Sequence, residues 1–110
     1  FFMVGGAVNA AFLNFSKALS KRGLVDGVNV NSINPGMTST DRLITIIQSN
    51  ADREDISFAE AENKALENIG LDRFGTPEEV AELTYFLCNP NMRHLTGTEI
   101  NLDGGKKTTI

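Results

Sequence analysis

Two stretches of the chain carry the apolar-polar alternation of a β-strand, and a long helical run separates them. In "GVNVNSIN", Val28 and Val30 alternate with Asn29 and Asn31 and lead to Ile33, which reads as a strand of about six residues ended by Pro35-Gly36. In "GTEINLDGG", Thr98, Ile100 and Leu102 alternate with Glu99, Asn101 and Asp103 before a glycine turn. Between them lie three helical segments. Thr40 or Ser39 caps the first, whose apolar positions are Leu43, Ile44, Ile46 and Ile47. The polar "SNADREDIS" follows as a loop. Ser57 and Glu60 form a capping box that opens "FAEAENKALENIG", stopped by Gly70. A second capping box, Thr76 and Glu79 with Pro77 at the first helical position, opens a helix with Val80, Leu83 and Leu87 on one face. A strand, a helical crossover and a second strand predict a right-handed βαβ unit with a parallel pair.

A parallel pair alone leaves both faces uncovered and both edges open. The expected fold is therefore α/β, a doubly wound parallel sheet of which this chain supplies the last two strands and their helices. The remaining strands come from sequence outside these 110 residues or from another chain. A helix from about Gly6 to Arg22 precedes the first strand, with Ala7, Ala10, Ala11, Phe15 and Leu19 at helical spacing and Gly23 as the stop. The opening "FFMVGGAVNAAFLNF" lacks a basic flank and runs into that pattern, so it reads as fold rather than as a targeting segment. The start at Phe1 suggests that the chain is entered partway through a domain.

Net charge is −4 and the ten Lys and Arg are scattered, which predicts no nucleic-acid or anionic-membrane partner. No run is long enough to span a bilayer. Cys88 is the single cysteine, which fits a reducing, cytoplasmic compartment.

Three motifs, "SINPGMTSTDR", "DRFGTPEEVAELTYFL" and "LTGTEINLDGG", stand in an order and spacing that resemble the C-terminal half of the short-chain dehydrogenase/reductase family, from Val8 to Gly105. The resemblance implies a single Rossmann-fold domain, of which residues 1–110 are the C-terminal part and from which the N-terminal cofactor-binding half is absent. It implies NAD or NADP lying across the strand ends, a small-molecule hydroxyl or carbonyl substrate, and homodimers or homotetramers packed through the first helix. Pro35 and Gly36 match the family's turn beside the nicotinamide. The backbone at Met37 and Thr38 would meet the carboxamide, and the Thr40 hydroxyl would reach the carboxamide or pyrophosphate. Glycine at such a turn permits close backbone approach, and donors at a helix N-terminus favour phosphate oxygens. The same residues also read simply as a capped strand-to-helix turn. Residues Leu43 to Asn68 match the substrate-covering segment, and Arg73, Phe74 and Gly75 position the next helix.

The family's catalytic Tyr-x-x-x-Lys is missing. Alignment on the first helix puts Gly5 at the Tyr position and Asn9 at the Lys position, and the only tyrosine, Tyr85, is followed four residues later by Asn89. Tyr85 reads as a packing residue. Phe2 lies about one turn before Gly5 but has no proton to give. Asn9 can hydrogen-bond a ribose hydroxyl but supplies no charge. Neither a Gly-x-x-x-Gly-x-Gly loop nor the strand-borne catalytic Ser is found, so the catalytic residues are not identified. Cys88 reads as a small core residue and His94 as a loop residue. Asp41, Asp52, Glu54 and Asp55 read as a solvated acidic surface. Two functions compete: an NAD(P)-dependent oxidoreductase with an altered proton relay, and a catalytically silent dinucleotide-binding or structural homologue. On either reading these residues alone are inactive.

Overall fold

The computed structural model describes residues 3–106. Phe2 lies outside them. The elements in order are α1 (Met3–Asp26), β1 (Ser32–Pro35), α2 (Asp41–Glu54), α3 (Phe58–Ile69), α4 (Pro77–Leu87), a short 3-10 turn at Pro90–Met92, and β2 (Glu99–Leu102). β1 pairs with β2. The Ser32 N–H donates to Thr98 O at 2.9 Å and the Gly36 N–H to Leu102 O at 2.9 Å. Both bonds advance along the two strands together, which is the parallel register. The chain divides into two compact units: residues up to Asn34 with Leu83–Ile100, and Pro35–Glu82 with the residues from Asn101 onward.

In the first unit α1 is longer than its sequence pattern. It passes through Gly23 and stops at Gly27, which takes a left-handed φ of 68°. The Val28 N–H then donates back to Gly23 O at 2.8 Å, closing a Schellman-type end. Gly23 is not the stop: it is buried, and a Cβ there would collide with the Val28 carbonyl oxygen. The face that packs is also different. Ser16, Ser20 and Gly23 are the buried positions of α1, while Val8, Phe12, Phe15 and Leu19 stay exposed. Small side chains allow this approach. Lys17 Nζ donates to Gly97 O at 2.5 Å, and a Cβ on Gly97 would lie 2.5 Å from Ser20 Oγ.

The first strand is shorter than expected, four residues beginning at Ser32. The segment before it is fixed by side chains instead. Asn31 Nδ2 donates to Leu95 O at 2.8 Å, and Asn29 Nδ2 to Met92 O and Leu95 O, both at 3.2 Å. The alternation of β2 holds, with Ile100 and Leu102 half-buried and Glu99 and Asn101 exposed.

The second unit holds the core: Leu43, Ile47 and Ala51 of α2, Ala61 of α3, and Phe74, with Met37 packed against them. "SNADREDIS" is helical as far as Glu54, against the expectation of a loop. The four-residue spacing of Leu43, Ile47 and Ala51 carries the buried stripe through it, while Ser49, Asp52, Arg53 and Glu54 are exposed. Ile44 and Ile46 are exposed. Both halves of the Ser57–Glu60 capping box form, and Gly70 ends α3 in the left-handed region. The second capping box also forms: the Glu79 N–H donates to Thr76 Oγ1 at 3.2 Å and the Thr76 N–H to Glu79 Oε2 at 2.8 Å.

Candidate site at the Pro-Gly turn

The turn after β1 is held from two sides within the second unit. At its start the Gly36 N–H pairs with Leu102 O. Two residues on, Thr38 forms an isolated parallel bridge with Gly75: the Gly75 N–H donates to Met37 O at 2.9 Å and the Ser39 N–H to Gly75 O at 2.8 Å. In such a bridge the middle residue turns its own amide away from the partner. Among the described residues no hydrogen bond occupies the N–H of Met37 or Thr38. The Thr38 hydroxyl donates to Gly36 O at 3.1 Å, which stiffens the turn.

Thr40 is the N-cap of α2 by backbone geometry (φ −128°, ψ 165°), yet its side chain makes no capping bond and is exposed. Its carbonyl accepts the first intrahelical bond, from Ile44 N–H at 3.1 Å. The first-turn amides of α2 therefore stand outside the helical ladder, as at any helix start. This donor set, two turn amides and a free hydroxyl beside a helix N-terminus, fits the carboxamide oxygen and phosphate oxygens of a dinucleotide. Asp41, in the first turn, is the opposing charge.

Gly36 also has a packing role. A Cβ there would lie 2.9 Å from Asp103 Cα and 3.1 Å from Asp103 Cβ. The glycine admits the end of β2. A cavity of about 220 Å³ adjoins the turn, bordered by Gly36, Met37, Arg73, Gly75, Asp103 and Gly104 among others.

The segment leading into α4 is braced as the sequence indicates. Arg73 Nη1 and Nη2 donate to Glu79 Oε2 and Oε1 at 3.0 and 2.7 Å, and Nη1 also reaches Phe74 O at 3.0 Å. The Arg73 hydrogen bond, with that from the Thr76 N–H, holds the Glu79 carboxyl down at about 2. The bridge from Gly75 to Thr38 joins residues far apart in sequence, and no local pattern announces it. Arg73 and Glu79 were visible, as the residues flanking "FGTPE".

The other candidates fall elsewhere. Asn9 is exposed on α1 in the first unit, one turn after the half-buried Gly5. Tyr85 is 77% exposed and Cys88 is exposed, so neither is a packing residue within the described chain. Both lie on or just beyond a helix whose half-buried apolar positions are Val80, Leu83 and Leu87. His94 is exposed after the 3-10 turn, and Asp41, Asp52, Glu54 and Asp55 are exposed as expected. Among the described residues no cluster of His, Cys, Asp or Glu is arranged to hold a metal ion, and no helix is long and apolar enough to cross a membrane.

A family model described as enoyl-(acyl carrier protein) reductase matches residues 3–107. The NADPH-dependent reductase BacG of Bacillus subtilis (strain 168) is 34% identical over 103 residues, covering 94% of this chain and 40% of BacG. L-sorbose reductase from Gluconobacter frateurii, complexed with NADPH and L-sorbose, superposes with a TM-score of 0.84 at 28% identity, over 92% of this chain and 39% of that one. An NADPH-bound short-chain oxidoreductase from Pseudomonas aeruginosa PAO1 with an atypical catalytic center superposes with a TM-score of 0.76 at 26% identity, over 94% of this chain and 38% of that one. The chain thus spans about two-fifths of the length of these relatives. The fold is the Rossmann-type α/β arrangement with a parallel sheet, and the chain belongs to the short-chain dehydrogenase/reductase family.

Proposed function

We propose that the intact protein is an NAD(P)-dependent oxidoreductase acting on a small hydroxyl or carbonyl compound, and that residues 1–110 form the C-terminal part of its single Rossmann domain. The observation that carries this reading is the donor set at the turn: the unpaired amides of Met37 and Thr38 beside the uncommitted Thr40 hydroxyl. Pro35 and Gly36 shape that turn, and Asn9 meets a ribose hydroxyl from α1. The dinucleotide, when bound, supplies or accepts the hydride; these residues bind and orient it. The exposed apolar face of α1 is the surface of a homodimer or homotetramer, and the protein works in the cytoplasm without nucleic acid or membrane.

A second reading, a silent dinucleotide-binding homologue, is favoured by one observation: no Tyr-x-x-x-Lys occurs in these 110 residues. Calorimetric titration with NADH and NADPH, on the intact protein and on these 110 residues in parallel, tests the proposal. Saturable binding to the intact protein, followed by turnover in a carbonyl-substrate screen, is the expected result. Binding without turnover supports the silent homologue, and no binding to either refutes the dinucleotide site.

A further inference from the structure

Gly75 is the one described residue whose backbone both donates to and accepts from the Met37–Ser39 turn. What holds Gly75 in place is therefore a question about the turn. On one side Phe74 is buried in the core. On the other, the Glu79 carboxylate arches over the segment: Oε2 accepts from Arg73 before Gly75 and from the Thr76 N–H after it, while Oε1 takes the second guanidinium bond. A Cβ on Gly75 would sit 3.7 Å from Glu79 Oε2 and 3.6 Å from Met37 O, so clamp and turn meet on the same residue.

We propose that Arg73 and Glu79 are positioning residues for the dinucleotide-binding turn, acting through Gly75 to fix where the Met37 and Thr38 amides point. This rests on the function proposed above for that turn. The ion pair lies at the surface, with side-chain exposures of 62% and 39%. Exposed pairs of this kind add little to global stability. Their bidentate geometry instead fixes direction, so the consequence is local.

The test compares Glu79→Gln and Arg73→Lys in the intact protein with Ser57→Ala, which removes the α3 cap and touches nothing at the turn. Arg73→Lys leaves the Glu79 cap on Thr76 in place, so it remains informative if Glu79→Gln folds poorly. Two readouts are taken. The first is amide exchange at Ser39 and Gly75 relative to Ala51 in the core. The second is NADPH affinity. Both clamp variants should speed exchange at Ser39 and Gly75 selectively and weaken NADPH binding by roughly 3- to 10-fold, the effect of one lost hydrogen bond. Ser57→Ala should do neither. Clamp variants that change exchange at Ser39 and Gly75 no more than Ser57→Ala does would overturn the inference. Failure of the unmodified protein to bind NADPH would instead refute the function proposed for the turn, and the exchange comparison would still decide whether the clamp positions it.

Discussion

Replacing Gly36 by Ala separates two explanations of the Pro-Gly turn. If the glycine serves only ligand approach, alanine should leave the unliganded protein as stable as before and reduce binding alone. The structure says otherwise. The added carbon would lie 2.9 Å from Asp103 Cα and 3.1 Å from its Cβ, whereas non-bonded carbons sit at roughly 3.5–4.0 Å. One of the two atoms is backbone at the end of β2, so no rotamer change relieves it. The strand end must move by roughly half an ångström or more, against the Gly36 N–H bond to Leu102 O. Overpacking of this kind costs about 1–3 kcal/mol.

Urea unfolding of the intact Gly36→Ala protein should show a lower midpoint with unchanged slope, by an amount in that range. A variant as stable as the parent would refute the packing argument, and lost NADPH affinity at full stability would return the glycine to the ligand.

Three further outcomes are expected. Thr40→Val removes a hydroxyl that makes no capping bond, so stability should hold while dinucleotide affinity falls by roughly 2- to 10-fold; unchanged affinity in calorimetry removes Thr40 from the site. The Glu79 carboxyl is held at about 2 against an ordinary 4.5, so its contribution to folding is fully present above the unfolded value and is lost as pH falls from 4.5 toward 2. The gap in urea midpoint between parent and Glu79→Gln, small for so exposed a pair, should therefore close over that interval, and a gap constant with pH would show that the charge does not matter. Gly5→Tyr with Asn9→Lys places a phenol and an ammonium one turn apart on α1; a gain in carbonyl reduction, followed by NADPH absorbance, is expected if the relay alone is altered, and no gain indicates that the surrounding pocket differs too.

The capping boxes were legible because each is a local grammar. Ser57 with Glu60, and Thr76 with Glu79, need only three-residue spacing and form the bonds that spacing implies. Gly70 was legible for the same reason. The C-terminus of α1 was not, because "RGLVDGV" contains two glycines and only closure by Val28 decides between them. Residues 49–54 were misread from their polarity; the relevant signal was Ala51, four residues after Ile47, on the buried stripe. Tyr85 and Cys88 failed for a different reason: exposure depends on what covers a helix, which its own sequence does not contain. At the candidate site, Thr40 was identifiable from the helix start. The partners of Gly36 and Thr38, Asp103 and Gly75, lie far along the chain.

The faces of α1 bear on which species can act. Inward it presents Ser16, Ser20 and Gly23; outward it presents Val8, Phe12, Phe15 and Leu19, with Phe12 64% exposed. A surface helix of a finished domain shows the reverse arrangement. Covering a large apolar side chain contributes about 1.5–3 kcal/mol, so a face with several of them represents a stabilisation comparable to the roughly 5–15 kcal/mol that separates folded from unfolded states in an ordinary domain. A contiguous apolar face of this kind calls for a covering surface. Gly5 and Asn9, which alignment with the family is expected to put at the relay positions, stand on this same helix. On the function proposed above, a face of this kind has to be covered before α1 can carry a site, so these residues alone are expected to be inactive.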